Sequence, residues 1–384
     1  MKSGLKFFVL TAGLAITLFA GSANVIAAGD GQGYDQGVKA PGFIMKYKTP
    51  PEFIHNTAPE PGDAAFQYEW QRQRPSTDFP YKYKFVEING ANIAYIDEGE
   101  GDPILFIHGA PEQVYIWRNV IPYLKPYGRI IAFDHIGHGL SDKPDVKYEL
   151  PDYVKYTDAF INKLNLKNIT LVVHDWGSVI GLDYAARNPK NVRGVAMMEA
   201  LIAPFYPITN IKEALKRKGK AGAVLHYQLY KSPAAQDLAI NQNMFIEQVM
   251  QLHTHRELTQ REMETYRDPF RKPEWRKPLF MWAREVSIEG DVPHTDKAME
   301  RYNKWLGEKT IPTMEVYGYP GEVTEEWDVQ WRVQRWKNHE TAFIGTTLHF
   351  VQEDQPEQVG RAIADWYRRN LAPDPNVWMT KPKP

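Results

Sequence analysis

From Tyr83 onward, short apolar runs alternate with longer stretches whose apolar positions recur every three to four residues. The short runs predict strands over Tyr83–Ile88, Asn92–Ile96, Pro103–His108, Arg129–Phe133, Thr170–His174, Val195–Glu199, Thr313–Tyr317 and Thr341–Ile344. The periodic stretches predict helices over Trp117–Leu124, Pro151–Leu164, Ser178–Asn188 and Gln355–Asn370. Asn89-Gly90, between the first two strands, is a hairpin signal. Apolar strands alternating with amphipathic helices imply a mostly parallel sheet, here of eight strands, covered on both faces. Such sheets bind ligands beyond the carboxyl ends of their strands. His108, Asp134, Asp175 and Glu199 all fall at expected strand ends, which points to one site at one edge.

The alternation breaks over residues 203–306, a span too long for a crossover connection. It reads as an inserted helical cap, and it carries aromatic residues such as Phe205, Tyr206, Tyr227, Phe245 and Trp282 that can face a cavity. The core is then expected over 81–202 and 307–372, with a tail over 373–384. Residues 29–80 lack strong periodicity and read as an extended leader. Lys2 and Lys6, the apolar run Phe7–Ala20 and the small residues that follow read as a signal peptide over 1–28. Cleavage fits after Ala23, Ala27 or Ala28, and the run is shorter than the ~20 residues a spanning helix needs. The mature chain is therefore expected to be exported, periplasmic or secreted, with no membrane attachment. The formal net charge is −1 with no block of like charge, which gives no footprint for nucleic acid. There is no cysteine, so disulfides, thiolate metal sites and a cysteine nucleophile are excluded.

Chemistry concentrates in Leu171-Val-Val-His-Asp175-Trp-Gly-Ser-Val-Ile-Gly181. An apolar strand enters a sharp turn and a helix leaves it, the nucleophile-elbow context of an α/β-hydrolase fold, with Asp175 where serine is usual. A carboxylate can attack a tetrahedral carbon directly and become an ester. His349, late in the chain between the last strand and the last helix, stands where the base falls in this chain order. Glu199 ends a buried strand and needs a partner there, so it is the preferred acid to orient His349. Glu322, after the next strand, is the rival. His108-Gly-Ala110-Pro follows a buried strand and is expected to form an oxyanion hole from the backbone N–H groups of Ala110 and Trp176. Asp134 and Arg118 read as structural, a turn-shaping carboxylate and an ion-pair partner.

Several segments together resemble the haloalkane dehalogenases. They are His108-Gly-Ala-Pro with Trp117-Arg118, Phe133-Asp-His-Ile-Gly-His-Gly-Leu-Ser-Asp-Lys-Pro144, His174-Asp-Trp-Gly and Met198-Glu-Ala-Leu-Ile-Ala-Pro204. Asn243-Met-Phe-Ile-Glu-Gln-Val249, Glu264-Thr-Tyr-Arg-Asp-Pro-Phe270 and His349-Phe-Val-Gln-Glu-Asp354 complete the set. The resemblance implies the branch with an Asp-His-Glu triad: Asp175 as nucleophile, His349 as base and Glu199 as its orienting acid. The implied partners are a small apolar halogenated substrate and water, with no metal or organic cofactor. Trp176 matches one of the family's two halide-binding N–H donors. The other is usually an asparagine where this chain has Ala110. Gln113, Tyr115, Gln242, Asn243 and Trp282 are candidate replacements, Trp282 and Asn243 first. Two alternatives stay open. One is an epoxide hydrolase, for which Tyr206, Tyr227, Tyr230 and Tyr266 could supply acids. The other is a non-catalytic ligand-binding homologue.

Overall fold

Eight strands form one sheet in the order β1-β2-β4-β3-β5-β6-β7-β8 in a computed structural model that describes residues 75–217 and 220–372. The expected signal segment, most of the leader and the tail lie outside the described residues. The strands are Lys84–Ile88 (β1), Ala91–Glu98 (β2), Pro103–Ile107 (β3) and Arg129–Phe133 (β4). Ile169–His174 (β5), Val192–Met198 (β6), Thr313–Pro320 (β7) and His339–Thr347 (β8) follow. The β1–β2 hairpin is antiparallel and β2 pairs antiparallel with β4, while all other pairings are parallel.

Side chains on a strand alternate between faces, and the core divides accordingly. Leu105, Ile107, Leu171 and Val173 pack on one face with Phe160, Val179, Met299 and Tyr302. Ile104, Phe106 and Val172 pack on the other with Trp117, Ile363 and Trp366. The covering helices are Leu150–Lys163 (α1), Trp176–Arg187 (α2) and, from later in the chain, Pro293–Glu308 (α7), Glu326–Val333 (α8) and Pro356–Asn370 (α9).

Between β6 and α7 run Ile211–Lys216 (α3), Lys220–Tyr230 (α4), Gln260–Arg267 (α5) and Lys277–Glu285 (α6), with π-helical turns at Asp237–Asn241 and Phe245–Val249. Thr259 and Glu262 close a reciprocal capping box at the start of α5. The helix α7, which falls inside the expected 203–306 span, packs on α2 and α1 over the sheet. The expected helix Trp117–Leu124 is two separate turns, Val114–Trp117 and Ile121–Leu124, with Pro122 in the second. The helix expected from Ser178 begins at Trp176, because Asp175 itself carries the whole strand-to-helix turn.

Arg118 holds this architecture to the segment after His349. Its guanidinium, wholly buried, lies 2.6 Å from one oxygen of Glu353 and 2.7 Å from Glu262 on α5. Tyr266 and Arg256 also bond to Glu353. Asp134 is structural as read: its two oxygens accept the N–H groups of Val114 (2.7 Å) and Leu140 (2.9 Å).

Candidate active site

Register places the acids. His174 pairs with Met198 across the parallel β5–β6 ladder, so Asp175 and Glu199 leave the sheet side by side. Both turns are tight, with φ of 47° at Asp175 and 44° at Glu199. A non-glycine residue in that region is held there by its surroundings. Two glycines make room for the first turn. A side chain at Gly177 would collide with the carbonyl oxygen of Ile107, and one at Gly109 would collide with the Asp175 carboxylate. Ser178 locks the turn: its Oγ donates to the Asp175 carbonyl at 2.6 Å and accepts the Leu201 N–H at 3.0 Å.

The Asp175 carboxylate sits between two partners. Oδ2 accepts the Ala110 N–H at 3.0 Å, and Oδ1 lies 3.7 Å from Nε2 of His349. The Trp176 N–H, at the first position of α2, is left over by the helix. Behind His349, its Nδ1 stands 3.2 Å from Oε2 of Glu199. Glu199 in turn accepts main-chain N–H groups from Glu322 (3.2 Å), Val323 (2.7 Å) and Thr324 (3.3 Å). The rival acid Glu322 gives Glu199 its backbone and turns its own carboxylate to His253. Lys220, fully buried on α4, donates to the carbonyls of Glu322 (3.2 Å) and Val323 (2.7 Å), holding the same loop from its other side.

The site is dry. Asp175 is 7% exposed, His349 8% and Glu199 1%. Burial disfavours charge, and it pushes the Asp175 carboxyl up, although His349 and His174 oppose the rise. Burial likewise lifts Glu199 to about 7, against the N–H groups of Val323 and Thr324 and the charges of Lys220 and His174. It lowers His349 to about 4, with the positive charge of His174 acting in the same direction and Asp175 against it.

Sequence reasoning did not single out Glu112 and His174, which lie beneath this triad. His174 Nδ1 is 2.6 Å from Oε1 of Glu112, and its Nε2 is 2.8 Å from the carbonyl oxygen of His349. Glu112, His174 and His349 bring ligand atoms within 4.8 Å of one another, the spacing of a metal site. Glu112 already faces His174 at 2.6 Å, and His349 lies between Glu199 and Asp175, so the group reads as a chain of ion pairs. The signal for Glu112 was its place in a wholly buried stretch, where a carboxylate needs a partner.

This arrangement, a buried carboxylate on an elbow with an imidazole and a second acid behind it, has counterparts. Residues 102–356 match the family model described as alpha/beta hydrolase fold. The chain is 38% identical over 292 residues to a haloalkane dehalogenase of Sphingobium indicum, covering 74% of this chain and 95% of that protein. It is 34% identical over 283 residues to one of Mesorhizobium japonicum, covering 73% and 89%. The chain belongs to the haloalkane dehalogenase family. A crystal structure of a loop variant of the haloalkane dehalogenase DbeA from Bradyrhizobium elkanii superposes with a TM-score of 0.70 at 31% identity, over 74% of this chain and 95% of that one.

Within that family, the departure at Ala110 turns on which other donor is free. Gln113 donates to the Thr265 carbonyl (2.8 Å), Tyr115 to Thr77 (2.7 Å) and Gln242 to Asp237 (2.8 Å). Asn243 donates to Glu247 at 3.3 Å, and its unpartnered atom is the carbonyl oxygen, an acceptor. Trp282 differs: its buried indole N–H has no hydrogen-bond partner, and its ring lies 4.8 Å from that of Trp176, tilted by 30°. Three of the four cap tyrosines bond to other side chains. Tyr206 and Tyr227 bond hydroxyl to hydroxyl at 2.6 Å, and Tyr266 donates to Glu353.

NMR titration of the His349 ring is expected to find it neutral at its ordinary midpoint of 6.5 and protonated only as pH falls toward about 4. A midpoint at or above 6.5 contradicts the buried geometry.

Proposed function

We propose that this enzyme hydrolyses haloalkanes to alcohol and halide through an ester on Asp175. The observation that carries the reading is the Asp175 carboxylate itself, buried and flanked by the Ala110 N–H and His349 Nε2. Poorly solvated carboxylates are better nucleophiles toward carbon. An Asp175 oxygen attacks the carbon bearing the halogen, the carbon–halogen bond breaks, and the halide leaves with its electron pair. His349, neutral in this site, then takes a proton from water, and the resulting hydroxide attacks the carboxyl carbon of Asp175. The oxyanion so formed is stabilised by the N–H groups of Ala110 and Trp176. Collapse breaks the bond between the carboxyl carbon and the alcohol oxygen; that oxygen takes the proton held by His349 and leaves as the alcohol, and the Asp175 carboxyl gives up its remaining proton to solvent and returns to the carboxylate. Glu199 holds the imidazole in the orientation that points Nε2 at the ester and stabilises its protonated form.

The departing halide is an anion in an apolar cavity and needs donors. Trp176 supplies one indole N–H, and Trp282 supplies the second in place of the asparagine that Ala110 lacks. The apolar surroundings, with Phe205, Trp282 and Leu201 in the same buried core cluster as Trp176, suit a small halogenated hydrocarbon.

His349→Gln leaves the first step intact and removes the base for the second. Incubation with a bromoalkane should therefore add the alkyl mass to the protein at Asp175, read by intact-mass spectrometry and peptide mapping. An unmodified protein, with a bromoalkane the parent enzyme turns over, sinks the ester mechanism. Trp282→Phe keeps the aromatic packing and deletes the N–H. It is expected to lower chloride release by about 10²-fold, the typical effect of one lost donor, and bromide release by less, because bromide is the better leaving group. An unchanged rate for both halides assigns the second donor elsewhere.

A further inference from the structure

We propose that the buried Glu112–His174 ion pair is a positioning unit for this reaction, anchoring the His349 main chain and the Gly109–Ala110 loop on either side of Asp175. The proposal rests on the reading of Asp175 and His349 given above. Glu112 lies after β3 and His174 ends β5, beneath the Asp175–His349 pair. Both side chains are entirely buried, and a buried charge persists only where its partners compensate it.

The connections run in three directions. Glu112 Oε2 accepts the Gly109 N–H at 3.2 Å, one residue before the Ala110 N–H that meets the nucleophile. Glu112 Oε1 faces Nδ1 of His174 at 2.6 Å. His174 Nε2 faces the carbonyl oxygen of His349 at 2.8 Å, and the two rings are 4.7 Å apart. A carboxylate and a carbonyl are both acceptors, so beside an ionised Glu112 both ring nitrogens of His174 are donors. That requires an imidazolium. Burial alone would lower the His174 pKa, but the Glu112 carboxylate, with Asp175 and the His349 carbonyl, lifts it to about 9.

A fixed positive charge here has two chemical consequences. Next to Asp175 in sequence, it favours the carboxylate that must attack carbon, against the burial that would protonate it. Facing His349, it disfavours a second imidazolium and so keeps that ring the free base that water activation needs. The groups facing His349 are Asp175 on the elbow, Glu199 after β6, His174 on β5, Glu322 after β7 and His253 from the cap. Those facing His174 are Glu112, Asp175 and His349, with His108 and Glu199 also within electrostatic reach. His174 is the cation among the histidines of this set because it alone has a carboxylate directly on one nitrogen and a carbonyl on the other. Glu112 thus sets the protonation of two histidines, one directly and one through the other.

The test uses the full enzyme labelled with 15N-histidine. At pH 7, NMR is expected to show one imidazolium with both N–H protons protected from solvent, and the signal should persist in His349→Gln. Glu112→Gln keeps the acceptor for Gly109 but removes the charge. It should abolish that imidazolium and raise the His349 midpoint by about one unit, the usual effect of one nearby charge. The acid limb of ester hydrolysis should move with it. Glu112→Asp should restore both, whereas a purely structural role would lower activity without moving either midpoint. Absence of a protected imidazolium in the unsubstituted enzyme, or an unmoved His349 midpoint in folded Glu112→Gln, overturns the proposal. The NMR signals are read without turnover. Failure of the enzyme to release halide would therefore count against the dehalogenation reading and leave this one standing on its own result.

Discussion

The desolvation of one carboxylate governs the rest of this structure. Asp175 is placed past the end of a buried strand, on a turn with positive φ, where it is 7% exposed. Everything around it answers the resulting electrostatic demand: an N–H from Ala110, the imidazole of His349 and the positive charge of His174. Glu199 poses the same problem one strand over and meets it with three backbone N–H groups from a loop that Lys220 grips by its carbonyls. The sheet register brings the two acids together, and the glycines at 109 and 177 let the backbone approach closely enough for the arrangement to close.

Much of this could be read along the chain because the signals are local. An apolar strand, a turn and a helix start announce the elbow, and each expected strand of the sheet is present within a few residues of its expected bounds. Glu199 was separable from Glu322 only by preference, since both follow buried strands. In the structure, the Glu322 side chain is taken by His253 and its backbone is given to Glu199. The helix Glu326–Val333 was not anticipated, for its charged and aromatic residues obscure the short apolar face that Val329 buries. The helix start at Trp176 was missed because Ser178 looks like a cap, whereas it bonds back to the Asp175 carbonyl from inside the helix.

What stayed hidden is long-range. Glu112 and His174 are far apart in sequence, and only the packing of β3 against β5 brings the loop after one strand beside the end of the other. Of the candidates for the missing halide donor, composition could name all five but not tell which were already bonded. Four have donors engaged elsewhere, and Trp282, stacked on Tyr153 and beside Trp176, keeps its N–H free. The proposed offset for the asparagine that this chain lacks therefore comes from the cap side rather than from the loop after β3.

The central claim is that water attacks the carboxyl carbon of Asp175 rather than the substrate carbon, and oxygen isotope placement decides it. With enzyme in excess over a bromoalkane in water enriched in 18O, the first turnover should leave the label in the Asp175-containing peptide and yield unlabelled alcohol. Labelled alcohol from that first turnover, with an unlabelled peptide, would contradict the account.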